Sequence, residues 1–315
     1  MHYRCNSTYR NVTSKLIQIP HTSYIVIVSV IVATYNCAQY IEDTLNSVYR
    51  QTYRDLELIV TDDCSTDDSV VVATRWMDEH KDRFVRVIHT KTTHNSGVTA
   101  NYNAGLSEAE GEWVKCLDGD DRLPDEAIET YVKFAESNNA NTVWYAHEQT
   151  FDNNGNRDFI NKTILPTASS RKQLVFLLNH RLLGLCTATN FIHRETFVAQ
   201  GGFDSQYPMY QDGSPFLKSL SAKTPVGIID KVLLLKRENP DSLMHTANPT
   251  MVANIRDCHF HYCRYYLRCG MPLHYYNAFV THWLSTHDTS RLHNKAIGYI
   301  LRGLDIINLY RKICS

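Results

Sequence analysis

Short apolar runs alternate along the chain with stretches whose apolar residues recur at the spacing of one helix face. We predict strands at 24–33, 56–60, 84–89 and 113–117, and the first of these is apolar on both faces. Between the first two runs, Ile41, Leu45 and Val48 follow helical spacing. This alternation is typical of βαβ units, so the predicted fold class is α/β, with a mainly parallel sheet flanked by helices.

Turn and helix signals continue this pattern toward the carboxyl end. Ser65 and Asp68 have the spacing of a capping box for a helix, and Pro124 suits the first turn of another helix. Further predicted elements are a strand at 142–146, a turn at 152–156, helices at 171–180 and after Asp212, and a strand at 226–235. We therefore expect an N-terminal tail at 1–23, an α/β domain at 24–247 and a helical C-terminal extension at 248–315.

Composition and charge narrow the class of protein. The 315 residues carry a formal net charge of −1 and 43% of them are hydrophobic, so we expect a globular protein without nucleic-acid partners. The nine cysteines form no Cys-x-x-Cys pair, which favours reduced thiols and a cytoplasmic location. The apolar run at 24–33 is shorter than the roughly 20 residues that a membrane span needs.

Acidic residues follow two of the predicted strands. Asp62 and Asp63 come after the second strand, and Asp118, Asp120 and Asp121 come after the fourth. Ligands bind at the carboxyl edge of open α/β sheets, and hard divalent cations take carboxylate oxygens as ligands. Each cluster alone is also what turns and helix caps require. Together the clusters favour a site where a metal-bound diphosphate offsets the repulsion between carboxylates.

The order and spacing of these motifs resemble those of family 2 glycosyltransferases over about 28–245. The matching segments are 28–36 (VSVIVATYN), 62–67 (DDCSTD), Asn95-x-Gly97 with Asn101 and Asn103, 109–113 (AEGEW), 117–121 (LDGDD), and 201–204 (GGFD) followed by Asp212. The resemblance implies a GT-A fold and a metal-dependent, inverting transferase that uses a nucleotide-diphospho-sugar, expected to be a UDP-sugar. It also implies bacterial surface polysaccharide biosynthesis, such as that of capsule or lipopolysaccharide.

The same resemblance implies roles for individual residues. Thr34 and one of Asp62 and Asp63 would hold the nucleotide base, and the segment 95–103 would line the ribose and diphosphate. The expected nucleotide-sugar-binding residues are Thr34, Tyr35, Asn36, Asp62, Asp63, Asn95, Gly97, Asn101, Asp118, Gly119 and Arg237. The expected ligands of Mn²⁺ or Mg²⁺ are Asp118, Asp120 and His245, with a surface or packed histidine as the alternative for His245.

Asp212 matches the position of the family's catalytic base. An inverting transferase needs a carboxylate on the face opposite the leaving group, where it accepts the proton of the incoming hydroxyl group. The family usually has a Glu-Asp pair here, whereas this chain has Gln211 before Asp212, so the role of the first residue is open. The structural alternative for Asp212 is the N-cap of the following helix.

Other functions fit the sequence less well. A dinucleotide-dependent oxidoreductase needs a glycine-rich turn after its first strand, and the segment 34–37 contains no glycine. A P-loop NTPase is excluded because the chain has no GxxxxGK[ST] motif. The alternative that stays open is a noncatalytic nucleotide-sugar or carbohydrate-binding module derived from the same fold.

The C-terminal extension differs from the rest of the chain in charge and aromatic content. From Met251 onward it has 8 Lys and Arg against 3 Asp and Glu, which gives +5, and it is rich in Tyr and His. This composition suits peripheral contact with the inner face of the cytoplasmic membrane. Alternatively, its aromatic residues pack on the catalytic domain or on another subunit of a homo-oligomer. The expected acceptor is a glycan or a lipid-linked oligosaccharide.

Overall fold

A computed structural model describes residues 25–138, 140–152, 157–162, 165–180, 185–238, 248–268 and 270–286. Within them the chain forms an eight-stranded sheet in the order β3-β2-β1-β4-β7-β5-β6, with β8 paired to β5. The strands are β1 Val28–Thr34, β2 Leu56–Asp62, β3 Arg86–Lys91, β4 Trp113–Asp118, β5 Val143–Phe151, β6 Arg157–Asn161, β7 Asn190–His193 and β8 Gly227–Arg237.

The sheet is mixed but mainly parallel, as predicted. β1 lies between β2 and β4 and runs parallel to both, and β3 continues the parallel set beyond β2. β7 runs antiparallel to β4 and β5, β6 runs antiparallel to β5, and β8 is parallel to β5. The carboxyl ends of β1, β2 and β4 therefore meet at one edge of the sheet.

Helices cover both faces of this sheet. The helices are α1 Ile41–Tyr49, α2 Ser69–His80, α3 Val98–Glu108, α4 Ala127–Ser137, α5 Ser170–Asn179, α6 Arg194–Ala199, α7 Gly213–Ser221, α8 Pro249–Cys263, α9 Tyr265–Arg268 and α10 Pro272–Thr286. Val30 and Val32 of β1 pack into the hydrophobic core beneath α1, α2 and α4, whereas Ile31 packs into a second core with α3, α5 and α7. This two-sided burial explains why β1 is apolar on both faces.

Two local predictions about helix starts are wrong. α2 begins at Ser69 rather than near Ser65, because the Ser65 hydroxyl group donates to the carboxylate of Asp62 at 2.5 Å instead of capping a helix. Pro124 lies before α4 rather than in its first turn, and its carbonyl accepts the backbone N–H of Ala127 at the start of that helix. In both places a hydrogen bond across three residues forms instead of the predicted helix start.

The described part of the C-terminal extension is helical and packs on the α/β body. Tyr266 is 3% exposed and donates a hydrogen bond to the side chain of Asn179 at the end of α5. Cys258 and Cys263 are also buried in the core shared with α5 and α7. This packing is one of the two roles predicted for the extension. The division at residue 248 stays a prediction, and 1–23 and 287–315 lie outside the described residues.

Candidate functional site

Strand register brings the predicted acidic clusters to one edge. Thr34, the last residue of β1, is opposite Asp62 of β2, and Ala33 is opposite Asp118 of β4. Asp63 follows directly, and its backbone N–H donates to the carbonyl of Thr34 at 3.0 Å. The sheet thus places the two clusters on either side of β1, as the strand-end positions predict.

The carboxylate of Asp62 is fully engaged inside the protein. It accepts hydrogen bonds from the Thr34 hydroxyl group at 3.1 Å and from the Ser65 backbone N–H at 2.8 Å. Asn36, with a left-handed φ of 50°, accepts the Thr66 N–H through its side chain at 2.8 Å. These bonds join the loops after β1 and β2 into one surface, on which Tyr35 is 49% exposed.

Asp63 fixes the loop that leads from β3 into α3. Its two carboxylate oxygens accept the backbone N–H groups of Ser96 at 2.9 Å and Gly97 at 2.8 Å. Gly97 has a φ of 90°, and a Cβ atom there would lie 2.6 Å from the carbonyl oxygen of Pro208. Only glycine fits this close approach. The exposed Asn95 also accepts the Gly97 N–H, at 3.2 Å.

Asn101 links the ends of β1 and β2 from the first turns of α3. It is 3% exposed, and its amide donates to the carbonyl of Thr34 at 3.1 Å. Its side-chain oxygen accepts the Thr61 hydroxyl group at 2.7 Å. The amide is thus used within the protein, and its predicted contact with ribose or diphosphate stays a prediction.

The turn after β4 packs tightly against β1. Gly119 donates its backbone N–H to the carbonyl of Ala33 at 2.9 Å, and a Cβ atom at this glycine would lie 2.8 Å from the sulfur of Cys37. Asp118 accepts the phenolic hydroxyl of Tyr102 at 2.6 Å. This anchoring fixes the orientation of the Asp118 carboxylate at the edge of the sheet.

Asp120 and Asp121 occupy different environments. Burial and the nearby charge of Asp118 raise the pKa of Asp120 to about 6, and its carboxylate accepts no hydrogen bond from another described residue. Asp121 is 2% exposed, its pKa is raised well above the usual value by burial, and it accepts the Arg237 N–H at 2.8 Å. Asp120 is therefore the carboxylate of the two that has no hydrogen-bonded role in the fold, whereas Asp121 holds the backbone of Arg237.

The residues present fit a divalent cation only in part. Among the described residues, no three His, Cys, Asp or Glu side chains converge as a complete metal site. Mg²⁺ is commonly held by one or two carboxylates together with water and substrate phosphates, and Asp118 with Asp120 supplies such a pair. His245, the third predicted ligand, lies outside the described residues.

Arg237 lies behind the acidic turn. Its guanidinium is 4% exposed and donates to the carbonyl of Asp120 at 2.9 Å and to the carboxylate of Asp43 at 2.6 Å. It also lies over the rings of Tyr40 and Phe151, at 4.6 and 4.5 Å from their centroids. In this position Arg237 ties the turn to α1 and β5, and its predicted contact with the diphosphate stays a prediction.

Asp212 is at the N-cap position of α7, but its side chain forms no capping hydrogen bond. Its Oδ1 instead accepts the backbone N–H of Thr187 at 2.6 Å and the amide of Gln211 at 3.4 Å. Burial and, to a smaller extent, the charge of Asp118 raise the pKa of Asp212 to about 6, against the lowering effect of the Thr187 hydrogen bonds and of Lys236. The capping role thus does not account for this carboxylate.

Sequence reasoning missed two charged residues beside this site, Glu148 and Lys236. Glu148 is on β5 and is 5% exposed, and Lys236 is near the end of β8. The pKa of Lys236 is raised because Cys186, Glu148, Asp121 and Asp212 surround it. The signal that could have found them is an ionisable residue inside an apolar strand, where a charge is costly unless it has a function or a partner.

Comparisons with known proteins agree with the predicted family. The family model described as Glycosyl transferase family 2 matches residues 29–198. The chain is 31% identical over 130 residues to glycosyltransferase GlyG of Streptococcus pneumoniae serotype 4, covering 40% of this chain and 42% of that protein. It is 34% identical over 111 residues to the Escherichia coli UDP-Glc:alpha-D-GlcNAc-diphosphoundecaprenol beta-1,3-glucosyltransferase WfaP, covering 35% and 42%. These matches span less than half the length of either relative.

Solved structures share the fold. The chain resembles S. aureus TarS 1–349 in complex with UDP-GlcNAc, with a TM-score of 0.60, 20% identity, and coverage of 75% of this chain and 66% of that one. It also resembles the mannosyltransferase PcManGT from Pyrobaculum calidifontis in complex with GDP-Man and Mn²⁺, with a TM-score of 0.55, 20% identity, and coverage of 92% and 89%. The architecture is the predicted GT-A fold.

Proposed function

The chain belongs to glycosyl transferase family 2, and we propose that it transfers a sugar from a nucleotide-diphospho-sugar to a hydroxyl group of a glycan or lipid-linked acceptor. The expected donor is a UDP-sugar, and the expected outcome at the anomeric carbon is inversion. The observation that carries the proposal is the position of Asp212, a partly buried carboxylate that forms no capping hydrogen bond and whose pKa is raised by desolvation and by the charge of Asp118.

Asp212 is proposed as the base. Its Oδ1 accepts the Thr187 N–H and the Gln211 amide, and the Thr187 side chain also interacts with this carboxylate, so Asp212 is held in one orientation from which it is proposed to accept the proton of an incoming hydroxyl group. A pKa of about 6 keeps this carboxylate ionised at neutral pH and makes it a better proton acceptor than an ordinary aspartate. The base then activates the acceptor oxygen for attack on the anomeric carbon, opposite the departing diphosphate.

Asp118 and Asp120 are proposed to hold Mn²⁺ or Mg²⁺ together with the donor diphosphate. The ion, when bound, acts as a Lewis acid that stabilises negative charge on the leaving nucleoside diphosphate. Tyr102 keeps Asp118 oriented through its hydrogen bond, and Arg237 holds the carbonyl of Asp120, so the turn is fixed before the donor binds. The surfaces around Asp62 and Asp63 are proposed to bind the nucleotide base and the ribose.

Surface polysaccharide assembly is the proposed setting, at the inner face of the cytoplasmic membrane. The support is the sequence similarity to the E. coli relative, whose name specifies a diphosphoundecaprenol-linked sugar as its acceptor. No helix among the described residues is both long and apolar enough to cross a bilayer. Contact with the membrane or with a second subunit would then fall to the C-terminal extension, whose Leu273, Tyr276 and Phe279 are exposed along α10.

A noncatalytic binding module is the alternative, because Gln211 replaces the family's usual glutamate. In this structure the Gln211 amide donates to Asp212, so the residue supports the carboxylate of the base. The raised pKa of Asp212 also favours catalysis, since perturbed pKa values cluster at catalytic sites and a binding module has no need for one.

Nucleotide release tests the proposal. The purified protein is incubated with UDP-glucose, UDP-galactose, UDP-N-acetylglucosamine and GDP-mannose, each with Mn²⁺ and with EDTA, and free nucleotide is measured. We expect metal-dependent release from one donor, lost in Asp120→Ala and retained in Asp125→Ala, whose carboxylate is on the surface beside Arg50. Metal-dependent binding without release would indicate that an acceptor is required. The proposal would be contradicted if the protein neither binds any donor nor releases nucleotide from it.

A further inference from the structure

Two charged groups on β5 and β8 have unused hydrogen-bonding capacity among the described residues. Glu148 accepts the Asn161 amide through Oε1 at 3.0 Å, whereas its buried Oε2 accepts no hydrogen bond. The ammonium group of Lys236 makes no hydrogen bond and no close ion pair. An unpaired buried carboxylate oxygen is costly, and such groups in native proteins call for an explanation such as a ligand.

The two residues lie at the same end of neighbouring strands. In the parallel pairing of β5 with β8, Lys236 is opposite Thr150, and Glu148 is two residues earlier on β5. Lys236 directly precedes Arg237, whose backbone N–H donates to Asp121 in the acidic turn. The pair is therefore part of the wall that continues from the acidic edge into β5.

Lys236 lies beside the turn proposed for the diphosphate, because the next residue, Arg237, donates its backbone N–H to Asp121. Glu148 is on the neighbouring strand β5, with its unpaired Oε2 buried. In an inverting transferase the donor sugar adjoins the diphosphate, because its anomeric carbon must face the base on one side and the leaving group on the other.

We propose that Lys236 and Glu148 bind hydroxyl groups of the donor sugar; this inference rests on the proposed function. An ammonium group donates to hydroxyl oxygens, and a free carboxylate oxygen accepts hydroxyl hydrogens, so the pair matches a polyol. A site that pairs buried polar groups with substrate hydroxyl groups discriminates strongly against sugars that lack them.

Comparison of UDP with a UDP-sugar tests this proposal. Calorimetric titration of the 315-residue chain uses UDP, UDP-glucose, UDP-galactose, UDP-N-acetylglucosamine and UDP-glucuronic acid, all with Mg²⁺. The proteins are wild type, Lys236→Met, Glu148→Gln and the control Lys231→Met, which removes an exposed lysine from the same strand. We expect the Kd of the preferred UDP-sugar to rise about 10- to 100-fold in the first two variants, as for loss of a hydrogen bond to a charged group.

The Kd of UDP is expected to stay at the wild-type value in all variants, which also shows that they fold. Equal losses for UDP and the UDP-sugar would overturn the inference, because Lys236 would then act on the nucleotide or on folding. Unchanged affinity for the UDP-sugar would overturn it as well. If the wild type binds UDP-sugars no more tightly than the variants do, only this inference is refuted. If the wild type binds neither UDP nor any donor, the proposed function is refuted as well.

Discussion

The backbone N–H of Thr187 donates a 2.6 Å hydrogen bond to the carboxylate of Asp212, across 25 residues of chain. The turn that carries Thr187 is itself anchored, because the buried ammonium group of Lys115 donates to the carbonyl of Ala188. Lys115 is on β4, the strand that ends at Asp118. One strand therefore supports both sides of the proposed site, the acidic edge and the turn that orients the base.

The pH dependence of turnover follows from the burial of Asp212. Its pKa is raised to about 6, and the base must be deprotonated to accept a proton. We expect kcat/KM to be level near pH 7.5 and to fall about tenfold per pH unit below pH 6, measured at saturating Mg²⁺. A profile that stays level down to pH 4.5 would show that Asp212 is not the group that limits activity.

Gln211→Glu is expected to move this acidic limb to higher pH. The amide of Gln211 lies 3.4 Å from Oδ1 of Asp212, so a carboxylate there would place a second negative charge beside the base. Like charges at this distance raise the pKa of the pair. Gln206→Glu, on an exposed part of the preceding loop, is the matched control and should leave the profile unchanged. A downward shift in Gln211→Glu would contradict the account.

Much of this arrangement could be predicted from local pattern. The alternation of strands and helices predicts the fold class, and strand-end positions predict that Asp62, Asp63 and Asp118 meet at one edge. Register pairs Thr34 with Asp62 and Ala33 with Asp118, which confirms that geometry. These features can be predicted from the sequence because neighbouring parallel strands with short connections follow simple rules of topology.

The rest depends on side-chain and tertiary contacts that the spacing of residues does not specify. Ser65 has the spacing of a capping residue, but its hydroxyl group is taken by Asp62, and α2 starts later. The partner of Asp212 is a backbone group in a separate turn, which no local pattern marks. Glu148 and Lys236 are far apart in sequence, and only the pairing of β5 with β8 brings them to the same end of the sheet.

Gly97→Ala is expected to destabilise the protein and loosen the loop held by Asp63. An added Cβ atom would lie 2.6 Å from the Pro208 carbonyl, at a backbone φ of 90°. We expect a loss of about 2 to 4 kcal/mol in the free energy of unfolding, from strain and clash together. Gly270→Ala is the control, since it has a φ of 70° but nothing within 4 Å, so its loss should be smaller. Denaturant unfolding measures both losses. Equal losses of unfolding free energy in the two variants would show that the close approach to Pro208 does not cause the destabilisation.

Asp212→Asn is expected to raise the melting temperature at neutral pH. The pKa of Asp212 is about 6 in the folded chain against an ordinary value of 3.8, so ionisation opposes folding. The gain should be full above about pH 6, shrink as the pH falls, and vanish below about pH 4, where the carboxyl group is protonated in both states. Asparagine keeps an oxygen for the Thr187 N–H. Thermal melts from pH 3.5 to 8 measure this, and a gain that is independent of pH would argue against the assigned burial.

Turnover by Asp212→Asn shows whether the Asp212 carboxylate is the general base. Release of nucleotide from the preferred donor is measured for wild type and variant at saturating donor and metal, with UDP affinity determined in parallel. We expect the rate to fall by about 10² to 10⁴ with UDP affinity unchanged, as for removal of a general base from an intact binding site. Wild-type turnover in Asp212→Asn would contradict the proposal that this carboxylate accepts the proton in the reaction.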